Sequence, residues 1–267
     1  MLLDARSKLL RRYVIDAMRG GGRGHLGSSM SMIEILRVLY DSVLKFDPLK
    51  PNSSDRDRFI LSKGHGCLAL YAVLADKGFF PINELESFCQ PTSRLGGHPE
   101  RGKVPGVEAS TGALGHGLPI GVGLALALRM LKQNSRVIVL TGDGEINEGS
   151  NWEAAMSAAK HQLSNLTLMV DYNKLQSYGR TSEVLSLEPL ANKLSSFGFA
   201  TREVDGHDVS ALKKVLEQLP FESHAPSAII CHTIKGKGFP FAEGNPEWHH
   251  KSGMTEADIQ QMYDCLL

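Results

Sequence analysis

A chain of 267 residues with 42% apolar side chains can bury one sizeable core, and its 29 basic and 29 acidic side chains cancel, which removes the electrostatic case for nucleic acid or an anionic membrane as partner. Four scattered cysteines, Cys67, Cys89, Cys231 and Cys265, form neither a CxxC pair nor a zinc spacing and point to reduced thiols in a cytoplasmic protein. The N-terminus carries Asp4, Arg6, Lys8, Arg11 and Arg12 at helical intervals instead of a secretory signal, and the apolar run from Ile120 to Leu128 is too short to span a bilayer.

In chain order, apolar periodicity predicts helices over residues 2–19 and 31–44, a short strand at 58–61, and helices at 67–77 and 117–131. A strand-like run from Val137 then ends in Gly142-Asp143-Gly144-Glu145, a helix is expected over 148–162, and a second apolar run from Leu168 ends in Asp171-Tyr172-Asn173. A helix at 190–197, a strand at 200–204, a helix at 209–219, a strand at 228–233 and a last helix from Glu256 complete the pattern. This alternation predicts a doubly wound α/β domain over residues 1–267, with a mainly parallel sheet covered by helices on both faces. Met156 and Met169 are expected to fill its core.

The two apolar runs at the centre each end in a hard oxygen ligand. A right-handed crossover brings such strand ends to one edge of the sheet, where ligands of open α/β sheets bind. Asp143 offers a carboxylate, Asn173 an amide oxygen and a nearby main chain a carbonyl, a donor set for Mg²⁺ that leaves positions for phosphate oxygens and water. Gly142 and Gly144 are expected to permit a sharp turn and close approach of backbone to phosphate, and the start of the following helix favours negative charge. A lone Gly-Asp-Gly is common in surface turns; its position and its Asn partner give this one weight. By contrast, Gly22-Arg23-Gly24-His25-Leu26-Gly27 satisfies G-x-G-x-x-G, but a dinucleotide site needs a strand before it, and here an amphipathic helix precedes, so NAD is not expected.

Gly-Asp-Gly followed thirty positions on by Asn in a strand-end loop resembles the thiamine diphosphate fingerprint, with Tyr172-Asn173 in place of the familiar Asn pair. Further stretches resemble the transketolase family in the family's order: Gly24-His25-Leu26-Gly27, the run from Asp57 through Ser62-Lys63-Gly64-His65-Gly66, Gly97-His98-Pro99-Glu100, the run from Pro105 through Ser110-Thr111-Gly112-Ala113-Leu114-Gly115, Ile234-Lys235-Gly236-Lys237-Gly238, and Trp248-His249.

That resemblance implies thiamine diphosphate with Mg²⁺, or Ca²⁺ in its place, and transfer of a two-carbon ketol unit from a ketose phosphate to an aldose. It makes Leu175 the source of the third metal-binding carbonyl, beside Asp143 and Asn173. Gly142, Asp143, Gly144 and Glu145 then form the diphosphate turn, and Gly112, Ala113, Leu114 and Lys235 line the cofactor. His65 touches the diphosphate, His116 stands near the aminopyrimidine, His98 binds the donor's terminal hydroxyl, and His25 and His249 shuttle protons, a task suited to imidazole. Lys63 either lines the site or is solvated, Glu148 is either an interface carboxylate or a helix first-turn residue, and His250 is expected to be a bystander. Cys89 stands where the family aligns a phosphate-binding Arg; Arg94 is close enough in sequence to replace it.

A complete transketolase is more than twice as long, with a pyrimidine-binding domain that carries an essential Glu and a third, C-terminal domain. The resemblance therefore implies the N-terminal subunit of a split transketolase, working on sugar phosphates in an α2β2 heterotetramer with a second chain that holds the pyrimidine-binding and C-terminal domains. The alternatives are another thiamine diphosphate transferase, such as a rare-sugar transketolase or a deoxyxylulose-phosphate synthase-like enzyme, and a non-catalytic binding protein derived from the domain.

Overall fold

The computed structural model describes residues 3–267. Helix α1 (Ala5–Gly21) begins where the Asp4 side chain accepts a hydrogen bond from the Ser7 N–H and stops at Gly22, whose φ of +61° closes the last turn. The expectation that it begins at Leu2 lies outside the described residues. Strand β1 (Arg23–Gly24) leads into α2 (Leu26–Met30) and α3 (Ile33–Val38), which loosens into a π-turn at Leu39–Val43. The single helix expected over 31–44 is thus two segments. Strand β2 (Arg58–Leu61), a 3₁₀ turn at Gly64–Gly66, α4 (Cys67–Asp76), α5 (Gly117–Met130) and β3 (Val137–Gly142) follow. A second 3₁₀ turn, Gly144–Asn147, delays α6 to Gly149–Lys160, after which come β4 (Leu166–Tyr172), α7 (Thr181–Val184), α8 (Leu190–Ser196) and β5 (Ala200–Asp205). The chain finishes with α9 (Val209–Leu216), β6 (Ser227–His232), β7 (Lys251–Ser252) and α10 (Glu256–Asp264).

Five strands form one parallel sheet in the order β2-β3-β4-β6-β5. Within β3, Val137 and Val139 pack with Leu118 and Val122 of α5 and Leu190 and Leu194 of α8. Ile138 and Leu140 face the other way, into a core shared with α1 to α4 and with Leu212 of α9. Successive strand side chains alternate between faces, so a strand covered on both sides must be apolar at every position. The unbroken apolar runs in the sequence follow from that requirement.

Two expectations change. Met169 is fully buried, but Met156 is 56% exposed, because Ala154, Ala155 and Ala158 take the inward face of α6. Neither Gly142 nor Gly144 has positive φ; the turn is made by the 3₁₀ segment, and Gly144 is small for another reason, since a Cβ there would lie 2.8 Å from Cγ of Gln176.

Candidate active site

Parallel pairing aligns Gly142 with Asp171, so the turn after β3 and the loop after β4 leave the sheet side by side. Asp143 is only 3% exposed. Its Oδ1 accepts from Gly144 N–H at 2.7 Å and its Oδ2 from Lys174 N–H. Lys174 itself holds φ +63°, a costly conformation for a residue with a Cβ, and thereby brings Asn173 and Leu175 back toward Asp143. The Asn173 amide is oriented from both ends: Oδ1 accepts from Leu175 N–H at 3.1 Å and Nδ2 donates to Asp171 at 3.4 Å. These residues open into a cleft of about 620 Å³ that also includes His25, His65 and His249.

Below the cleft lies a buried ion pair. The Lys63 ammonium, 1% exposed, bonds Asp171 and also the Ser28 carbonyl at 2.9 Å. Asp171 is completely buried and accepts further bonds from Ser31 Oγ at 2.6 Å and from Thr233. Lys63 is therefore not a solvated lysine. Lys235 is also buried, donating to the carbonyls of Leu175 at 2.8 Å and Gln176 at 3.2 Å. Burial, followed by the nearby Lys63 charge, lowers its pKa to about 8. Its segment is anchored from behind: His207 Nε2 accepts from Ile234 N–H at 2.8 Å, and His207 Nδ1 donates to Glu34 at 2.9 Å. For Asp143, burial and then the neighbouring Asp171 raise the pKa to about 6. A carboxylate in that position has uncompensated charge.

Glu145 lines the same cleft and also braces its loops. Its carboxylate accepts from Ser62 Oγ at 2.5 Å, Gly115 N–H at 2.9 Å and Gly142 N–H at 3.1 Å, so both oxygens are taken up by the protein. It braces the loop of Gly112 and Leu114 against the Asp143 turn. Gly112 and Leu114 line the cleft, whereas Ala113 and His116 are exposed and outside its lining; between them Gly115 has φ +82° and its N–H is held by Glu145. Glu148 starts α6 without capping it through its side chain and is exposed.

The histidines converge from four separate segments. The ring of His25 is 5.4 Å from that of His65, 5.3 Å from His249 and 6.3 Å from His98. His98 is at the rim, its ring against Gly112. His250, expected to be a bystander, has the ring nearest to His25, at 4.6 Å. Burial first, then the cluster's own charges and Lys235, lowers His25 to about 4. Burial, then Lys235 and His25, takes His249 to about 3. At neutral pH these rings are uncharged and can each hold or accept a proton.

Because both pKa values lie below the ordinary 6.5, the unfolded chain binds protons that the folded chain refuses as pH falls below about 6.5. Their contribution to stability is present above that pH and is lost toward pH 4. Thermal melting from pH 7.5 to 4.5 is expected to show a falling midpoint, with a shallower slope in a His25→Asn/His249→Asn double variant. An identical slope would remove these two rings from the explanation.

Sequence reasoning misses three residues of the site. Asp171 reads only as part of a strand, although a carboxylate at the end of an apolar parallel run is itself a signal of a buried charge. Gln176 Nε2, like His249 Nδ1, is buried with no hydrogen-bond partner; the Gln176 side chain packs against Gly144, a contact between loops that sequence spacing does not reveal. Leu185, exposed at the cleft, carries no motif.

Oxygen donors, unpartnered nitrogens and an imidazole cluster at the carboxyl edge of a parallel sheet define a cofactor-binding α/β domain. Residues 4–266 match the family described as transketolase, thiamine diphosphate binding domain, and the chain belongs to the transketolase family. It is 44% identical over 251 residues to one subunit of the apulose-4-phosphate transketolase of Actinobacillus succinogenes, covering 93% of this chain and 90% of that one. Identity is 40% over 248 residues to a 6-deoxy-6-sulfo-D-fructose transketolase subunit of a Clostridium species, with 93% and 90% covered. A transketolase structure from Leishmania mexicana superposes with a TM-score of 0.90 at 33% identity, over 96% of this chain and 40% of the other. The chain thus spans about two fifths of that transketolase.

Proposed function

We propose that this chain is the diphosphate-binding subunit of a split, cytoplasmic transketolase that moves a two-carbon ketol unit from a ketose phosphate to an aldose. A partner subunit supplies the pyrimidine-binding and C-terminal domains in an α2β2 assembly. The observation that carries the reading is the placement of Asp143, Asn173 and the Leu175 carbonyl in one cleft with His25, His65 and His249. Support for a separate partner comes from the relatives named as subunits, of which this chain covers 90%. Exposed Leu114, Ile120, Val184 and Leu185 give it apolar surface to cover. Among the described residues no helix is long and apolar enough to cross a membrane.

The residues fit the cofactor and its metal. No group of three or more His, Cys, Asp or Glu among the described residues could hold a metal, but a carboxylate, an amide oxygen and a carbonyl form the hard donor set that Mg²⁺ or Ca²⁺ prefers. Lys235 uses one lone pair of the Leu175 carbonyl and leaves the second. The unpartnered Gln176 Nε2 and His249 Nδ1 suit an acceptor-rich diphosphate. Thiamine diphosphate, when bound, supplies the carbanion chemistry of ketol transfer. The chain's part is to fix the diphosphate with Asp143, Asn173, Gln176 and Lys235, and to hold protons on His25 and His249 where sugar hydroxyls and carbonyls change ionisation. His65 joins the contacts to the diphosphate, and His98 holds the donor's terminal hydroxyl.

Either the acceptor is an unusual sugar or the partner supplies the whole phosphate clamp, because Cys89 replaces the family's phosphate-binding Arg. Arg94 does not replace it: its guanidinium is held bidentately by Glu84 at 2.9 Å on both arms and stacks on Phe80. The test is ketol transfer from xylulose 5-phosphate to ribose 5-phosphate with Mg²⁺ and thiamine diphosphate, comparing this chain alone, its partner alone and the mixture. Activity in the mixture only is the expected result. Full turnover by this chain alone would remove the split-subunit reading, and a mixture that binds cofactor without turning over these sugars would favour a rare-sugar substrate.

A further inference from the structure

We infer that Arg23 is the residue that recognises the charged end of the sugar, its guanidinium taking over the anion-binding task absent from the Cys89 position; this rests on the transketolase reading above. The ligand chemistry is a terminal tetrahedral oxyanion, phosphoryl or sulfo. The backbone of Arg23 is held in place. It pairs with Ser252 across the short antiparallel β1–β7 ladder, with Gly24 opposite Lys251, and the next residue but one, His25, is the centre of the imidazole cluster.

The chain just before Arg23 is clamped to the chain around Cys89. A Cβ on Gly20 would lie 1.8 Å from the Glu86 carbonyl oxygen, and one on Gly21 would lie 2.7 Å from that of Phe88. Gln90 Nε2 donates to the Gly20 carbonyl at 2.5 Å. Arg23 and Cys89 therefore belong to the same wall. Burial pushes the Cys89 thiol up, and Arg23 is the charge that acts against it; the same guanidinium also bears on His250 and His25, in each case after burial.

The other cations of that wall are engaged. Arg94 is bound to Glu84, and the Lys251 ammonium stacks on Trp248 at 4.7 Å from the ring centroid. Arg23 is exposed and makes no side-chain hydrogen bond or ion pair with any described residue. A guanidinium presents a planar fork of donors that fits two oxygens of a phosphoryl or sulfo group at once. An unpaired one, on backbone held between His25 and the segment around Cys89, is free to bind the charged far end of a sugar.

The experiment compares wild type with the Arg23→Ala variant, each in complex with the partner chain, measuring kcat/KM for a ketose 5- or 6-phosphate, for the matching 6-sulfo ketose and for an uncharged ketose. The ratio of charged to uncharged kcat/KM is expected to fall roughly 10- to 100-fold, mainly through KM. A fall confined to the phosphate or to the sulfonate would say which anion the channel takes. An unchanged ratio would overturn the assignment. A second readout is independent of turnover: inorganic phosphate titrated into the complex, followed by Trp248 fluorescence, should bind about tenfold more weakly in Arg23→Ala. If wild type turns over none of the sugars, the functional reading fails, and equal phosphate affinity in the two proteins would then separately overturn the role of Arg23.

Discussion

An Asp143→Asn chain, assembled with its partner, is expected to lose roughly 100-fold or more in Mg²⁺-dependent affinity for thiamine diphosphate, since changing even an outer partner of a metal ligand typically costs 10–100-fold. Asn keeps the size and one acceptor oxygen but gives up the charge. In the folded chain that charge is a liability, being buried and next to Asp171, and the arrangement makes sense once a divalent cation neutralises it. The cofactor-free chain should change little in stability, because two effects oppose. Burying a neutral amide relieves the repulsion from Asp171, while one of the bonds from Gly144 or Lys174 N–H loses its carboxylate acceptor. Isothermal titration with and without Mg²⁺ reads the first effect, and a melting midpoint within a few degrees of wild type excludes misfolding. Undiminished affinity would take Asp143 out of the metal site.

Much of this arrangement is readable because two kinds of regularity survive in one dimension. Residues 59–61, 137–140 and 168–170 are unbroken apolar runs because helices cover both faces, and the parallel pairing of the last two makes their endings neighbours. What stays hidden depends on contacts between distant segments. The β1–β7 pair has two residues per strand, too few for any periodicity, yet it fixes Arg23 and holds His250 beside His25. Glu145 looks like part of a diphosphate turn, but Ser62 and Gly115, which claim its oxygens, are 83 and 30 positions away. Lys63 reads equally as a site lysine or a solvated one until Asp171, 108 positions on, is found under it.

That last pair leads to the second large effect. Lys63→Met is expected to destabilise the chain by about 3–5 kcal/mol, the usual result of removing one partner from a buried ion pair, and a large share of the roughly 5–15 kcal/mol that holds a typical domain together. Asp171 would retain bonds from Ser31 and Thr233, but a fully buried carboxylate would lose the only cation that bonds it among the described residues. Asp171→Leu alone should be comparably damaging, since it strands the ammonium with the Ser28 carbonyl and the Ser31 hydroxyl. The double variant should recover much of the loss, because two apolar side chains need no compensation. Urea unfolding of the four proteins closes the cycle; losses that simply add would mean that the pair is not coupled. Recovery of stability should not restore cofactor binding. A Cβ on Gly142 would lie 3.8 Å from the Lys63 side chain, so the pair supports the turn that carries Asp143, and the Lys63 ammonium pulls Asp143 toward the ionised form against the larger opposing push of burial and Asp171. A double variant that folds well and binds thiamine diphosphate poorly would separate the two duties of this pair, and one that binds normally would reduce Lys63 and Asp171 to structural supports.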